Sequence, residues 1–108
     1  MIVYIAGPYR AKTTYLIEQN INKAKALALE VWKKGHIAVC PHANTAHFDG
    51  ELPDFVWLNG AIEIMKRCDA VVLVEGWENS AGTIKEIEAT KEVNISIYKS
   101  IDELPSPK

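Results

Sequence analysis

Four short apolar runs, each separated from the next by enough chain for a helix, constrain this fold more than any other feature of the sequence. "IVYIA" (2–6) is β-branched and aromatic and stops at Gly7-Pro8, as a short buried strand does. From about Thr14 to Lys34 the residues Ile17, Ile21, Ala24, Ala28 and Val31 recur at spacings of 4, 3, 4 and 3. That spacing predicts one buried face of a helix, with Gly35 as its stop signal. "HIAVC" (36–40) predicts a second strand, closed by Pro41. Residues 42–53 read as a polar loop, long for a small domain and therefore a place to look for function. A helix from about Asp54 to Arg67 follows, with Phe55, Leu58, Ile62 and Met65 inward. "DAVVLVE" (69–75) is the most apolar run, as expected of a central parallel strand covered on both faces. After it come a turn, a helix to about Glu92, a last strand "ISIY" (95–98), and "DELPSPK" as a tail.

The order is therefore β-α-β-α-β-α-β. Strand and helix alternating at this pitch predict an α/β fold: a small doubly wound parallel sheet of about four strands, with helices on both faces and right-handed crossovers. At 108 residues the chain is expected to be a single domain spanning 1–108. A net charge of -2 argues against gripping a nucleic-acid polymer by bulk charge. No apolar stretch reaches the ~20 residues that a membrane helix needs. Cys40 and Cys68 suggest no disulfide framework, so a cytoplasmic protein with free thiols is expected.

Sheets of this kind bind ligands beyond the carboxyl ends of their strands, near the point where strand order reverses. "GPYR", "PHANTAH" and "GWENSAG" should then converge at one rim. Ser80 stands where an N-cap belongs, and the free amides of the first helical turn make that end a natural anion site. Helical side chains lean toward the N-terminus, so Glu86 leans back over the turn carrying Gly82. An open volume between a carboxylate and a set of donors would seat a sugar. The same residues also serve as a plain cap, a packing glycine and a solvated acid. Gly7 would let backbone approach a ligand, and Arg10 offers a fork for phosphate or carboxylate, or is a surface arginine beside a tight turn. His42, Asn44 and His47 are candidates for the rim or simple loop polar groups, and Trp77 stacks on a base or covers a core edge. Spacing of Cys40, His42, His47 and Cys68 is poor for a metal, so none is expected. Neither a P-loop nor a GxGxxG fingerprint is present.

On these motifs the chain resembles the nucleoside 2-deoxyribosyltransferase-like superfamily, and within it the small bacterial and phage domains related to deoxynucleoside 5′-phosphate N-hydrolases. The likeness runs through "VYIAGPYR", "GHIAVCPHANTAH" and "CDAVVLVEGWENSAGTIKEIEAT". It implies a flavodoxin-like sheet and a glutamate nucleophile, Glu86, that attacks the anomeric carbon of a deoxyribosyl group. It implies that Ser80, with Gly82, holds the 5′ end of the sugar, serine tilting the site toward a 5′-phosphate. Tyr4, Tyr9 and Trp77 become candidates to face the base. An aspartate common in the superfamily falls at Ala61 here, leaving Glu63 as the possible second acid. The resemblance also implies a homo-oligomer, a small-molecule nucleoside or nucleotide as partner, and no cofactor. Two other readings stand beside it: a nucleotide-binding module without catalysis, and a structural protein with no small ligand.

Overall fold

The computed structural model describes residues 1–107. Its elements are β1 (Ile2–Ala6), α1 (Thr14–Lys33), β2 (Ile37–Val39), α2 (Pro41–Asn44), α3 (Asp54–Met65), β3 (Ala70–Leu73), α4 (Ala81–Val93) and β4 (Ser96–Tyr98). Single turns of 3-10 helix lie at Trp77–Asn79 and Ile101–Glu103. The sheet runs β2-β1-β3-β4 with every pairing parallel. Strand order reverses between β1 and β3, the position at which a doubly wound sheet opens a crevice.

Period-two alternation along the strands divides the core between the two faces. Val3, Ile5, Val72 and Val74 pack against Ala24, Ala28 and Val31 of α1. Tyr4, Ala6, Val71 and Leu73 pack with Met65 and Cys68 on the other face. Helix α1 starts at Thr13, whose side chain accepts from the Leu16 amide. It ends at Gly35, which takes the left-handed conformation (φ 99°) while Gly35 N–H bonds to Trp32 O and His36 N–H to Val31 O. Those two bonds are the pair a left-handed helix stop uses to satisfy its last carbonyls.

Three local expectations are corrected. Residues 42–53 are not loop throughout, because Pro41 sits at the first helical position and starts the four-residue α2. Phe55 does not face inward: it is 63% exposed, since the first turn of α3 stands at the rim rather than over the sheet. Nor is the segment after β4 a free tail. Leu104 is buried in the α1-side core, and the segment is held by Lys34 Nζ donating to Ile101 O (2.8 Å) and His36 Nε2 to Pro105 O (2.6 Å).

Candidate active site

Beyond β3 the chain turns through Gly76 (φ 90°), passes one 3-10 turn and enters α4 at Ser80. Ser80 is extended, and its Oγ accepts from the Thr83 amide (3.2 Å) and the Thr83 hydroxyl (2.9 Å). One amide of the first turn is thereby satisfied. Those of Ala81 and Gly82 have no acceptor among the described residues, which leaves two donors at the positive end of the helix.

Glu86 lies one turn deeper and is only 6% exposed. The Tyr4 hydroxyl, rising from β1, donates to its Oε2. Its Oε1 has no partner among the described residues and faces the crevice. Burial disfavours the carboxylate and pushes its pKa up to about 7, while the Tyr4 hydrogen bond acts in the opposite direction. Burial, with the adjacent Glu86, also drives the Tyr4 phenol far above its ordinary range, so it stays a donor. The pair is thus a carboxylate poised near neutrality, with one oxygen anchored and one open.

The crevice has a volume of about 560 Å³ and is closed by the loop after β1, α2, the first turns of α3 and the start of α4. Tyr4, Gly7, Tyr9, Arg10, His42, Ser80, Gly82 and Glu86 all line it. Asn44 is exposed and outside it. Trp77 is also outside: it is partly buried and packs at the edge of the core cluster of Tyr4, Ala6, Met65 and Leu73. Glu63 points to solvent and bonds to Arg67 at 3.0 Å on the outer side of α3; Ala61 lines the crevice instead. Gly7 has a structural reason unlike the one expected: a Cβ there would stand 2.4 Å from Val74 Cβ, so the glycine lets β1 end against the chain leaving β3.

Arg10 is engaged by two carboxylates. Its guanidinium bonds to Asp49 Oδ2 (2.9 Å) and to Asp54 Oδ1, and the Tyr9 hydroxyl donates to Asp49 Oδ1 (2.7 Å). The Tyr9 bond first, then Arg10, holds Asp49 below the usual carboxylate range. His42 is buried and therefore kept neutral; its Nε2 donates to Pro8 O at 2.8 Å, with the ring edge-on to Tyr9. It props the β1 loop on α2. Sequence carries no signal for Asp54 or Lys85 in this lining, whereas the long polar loop marks the region of Asp49 and the aromatic run at 55–58 includes Trp57.

Gly82 can be tested directly. A Cβ built there meets only Leu58 Cδ1, at an ordinary 3.8 Å. Packing does not require the glycine, whereas a methyl group would occupy the crevice. Gly82→Ala is expected to raise stability by up to about 1 kcal/mol and to weaken ligand binding roughly tenfold, an overpacking cost of about 1–3 kcal/mol. Chemical denaturation and calorimetric titration measure the two.

A parallel doubly wound sheet with a buried carboxylate in its switch-point crevice defines the chain as an α/β domain of the flavodoxin-like kind. The chain belongs to the family described as a domain of unknown function, DUF7768, whose model matches residues 1–100. A comparison with curated proteins finds no match. Among solved structures, the fold is that of a 2-deoxyribosyltransferase from the psychrotolerant bacterium Bacillus psychrosaccharolyticus. The two share 19% identity over 90% of this chain and 69% of that one, with a TM-score of 0.62. No helix among the described residues is long and apolar enough to cross a membrane.

Proposed function

We propose that this protein cleaves, or exchanges the base of, the N-glycosidic bond of a 2′-deoxynucleoside or its 5′-monophosphate, with Glu86 as nucleophile. The observation that carries the reading is the Glu86 carboxylate: buried, anchored through Oε2 by Tyr4, and open to the crevice through Oε1. The fold shared with a 2-deoxyribosyltransferase supports it. Oε1 attacks C1′ as the C1′–N bond breaks, and the base leaves with the electron pair. The resulting glycosyl ester is resolved by water, which returns the carboxylate and releases the sugar, or by a second base. The amides of Ala81 and Gly82, with Ser80, receive the 5′ end. The experiment is base release from a panel of deoxynucleosides and their 5′-monophosphates. Release that stops in Glu86→Gln supports the reading; no base from any substrate, with the fold intact by circular dichroism, removes it.

Ala61, standing in the lining where a second acid was expected, favours the alternative of a nucleotide-binding module without turnover. Calorimetric binding without base release would establish that version.

The ionised form of Glu86 is the nucleophile, so activity rises with pH through about 7. The Tyr4 hydroxyl lowers that value, and a hydrogen bond to a charged group contributes about 1.5–3 kcal/mol. Tyr4→Phe is therefore expected to move the rising limb of the pH–rate profile up by roughly 1–2 pH units. An unmoved limb would separate Tyr4 from the carboxylate's ionisation.

A further inference from the structure

With C1′ held in front of Glu86 Oε1, the departing base faces the remainder of the crevice, and that remainder has little to give it. The inward part of α3 contributes Leu58, Ala61 and Trp57, a largely apolar wall. Its one polar group, the buried Trp57 indole N–H, has no partner among the described residues and is too weak an acid to give up its proton. Asp49 and Asp54 are both bound to Arg10, and the Tyr9 hydrogen bond, with Arg10, keeps Asp49 in its proton-less form. The Tyr9 hydroxyl proton is directed at Asp49 (2.7 Å) and the His42 Nε2 proton at Pro8 O (2.8 Å). Burial keeps the His42 ring neutral, so its other nitrogen has no proton to offer. The cation of the lining that stands outside an ion pair, among the described residues, is Lys85 at the exposed lip. Its positive charge attracts an anion leaving through the mouth.

We propose, on the reading that Glu86 is the nucleophile, that the crevice takes deoxynucleosides whose base departs as a weakly basic anion, without a proton from the protein. The chemical class is a base with an acidic ring N–H, such as an electron-poor oxo-pyrimidine. The Oε1–C1′ bond forms as the C1′–N1 bond breaks. The electron pair passes to N1 and spreads onto the ring carbonyl oxygens. Water protonates the base after it has left, and a second water splits the ester. Aminopurines, which leave readily only after ring protonation, gain no such help here.

The test is the rate of base release by the wild-type protein from 2′-deoxyuridine and its 5-fluoro and 5-nitro analogues, with 2′-deoxyadenosine beside them. With no proton transfer to share the developing charge, the rate should climb roughly five- to tenfold for each pH unit by which the free base is more acidic. Deoxyadenosine should not exceed deoxyuridine. Ala61→Asp, which places an acid in the wall, is expected to flatten that dependence and to raise deoxyadenosine release roughly tenfold relative to deoxyuridine. If that variant does not fold, the wild-type series alone decides. A flat series, or deoxyadenosine outpacing 5-fluorodeoxyuridine, overturns the proposal and leaves Glu86 as nucleophile standing. Failure to release any base from these nucleosides and from their 5′-monophosphates, the 5-nitro analogue included, overturns both.

Discussion

Glu86→Gln is expected to unfold less readily than the wild-type protein at pH 8, by on the order of 3 kcal/mol, while releasing no base. The cause is one carboxylate with two environments. In the unfolded chain it titrates near 4.5; in the fold, burial raises that to about 7. Between those values the native state binds the extra proton, so the group's contribution to stability falls as pH rises. The contribution is fully present below pH 4.5 and fully lost above about 7. A glutamine has no charge to desolvate and can still accept from the Tyr4 hydroxyl, so it escapes this loss. Urea unfolding of both proteins at pH 8 and pH 4.5 should give a large difference at the first and little at the second. An equal difference at the two would mean that the gain comes from packing and not from ionisation. Loss of the proposed nucleophile should lower turnover by at least about 10³-fold. Stability gained where activity is lost is the mark of a side chain kept for chemistry.

How far the sequence disclosed this site depends on the range of the interaction. Local signals were sufficient for the frame. The spacing of Ile21, Ala24, Ala28 and Val31 described the buried face of α1, Gly35 its stop, and Ser80 the start of α4. The α/β parallel sheet follows from strand–helix alternation, and so does a rim where three loops meet. Helical phase also separates Ala61 from Glu63: two residues are about 200° apart around a helix, so Glu63 must face away if Ala61 faces in. What sequence could not disclose was pairing across the fold. Asp49 and Asp54 occupy Arg10 only because the β1 loop, the long connection and the start of α3 meet in space. Val74 explains Gly7 through a contact between different strands' ends. Trp77 covers the edge of the core cluster of Tyr4, Met65 and Leu73, a contact made by residues far apart in the chain.

Leu104→Ala is expected to cost about 2–5 kcal/mol, the range for emptying a well-packed leucine site. It would do so although the residue lies beyond position 100, where the family match ends, in a polar stretch that reads as a tail. One isolated apolar residue among Asp, Glu, Pro and Ser carries no periodicity, so only the fold reveals its use. Helix α1 packs over the central strands and leaves the β4 side of that face to be closed by something else. The turn at Ile101–Glu103 folds back and delivers Leu104, 1% exposed, into the cluster of Val3, Ile5, Val31, Val72 and Val74. Tyr98 and Ile101 pack along its margin. Two hydrogen bonds from the end of α1 and the residue before β2, Lys34 to Ile101 O and His36 to Pro105 O, fix the path. Asp102→Ala, an exposed change in the same segment, should shift the urea midpoint by no more than about 0.5 kcal/mol equivalent. A Leu104→Ala cost equally small would mean that the segment rests on the core without completing it. A large one makes residues 101–104 part of the sheet's packing, and with it part of what holds β1 and Tyr4 beneath the carboxylate.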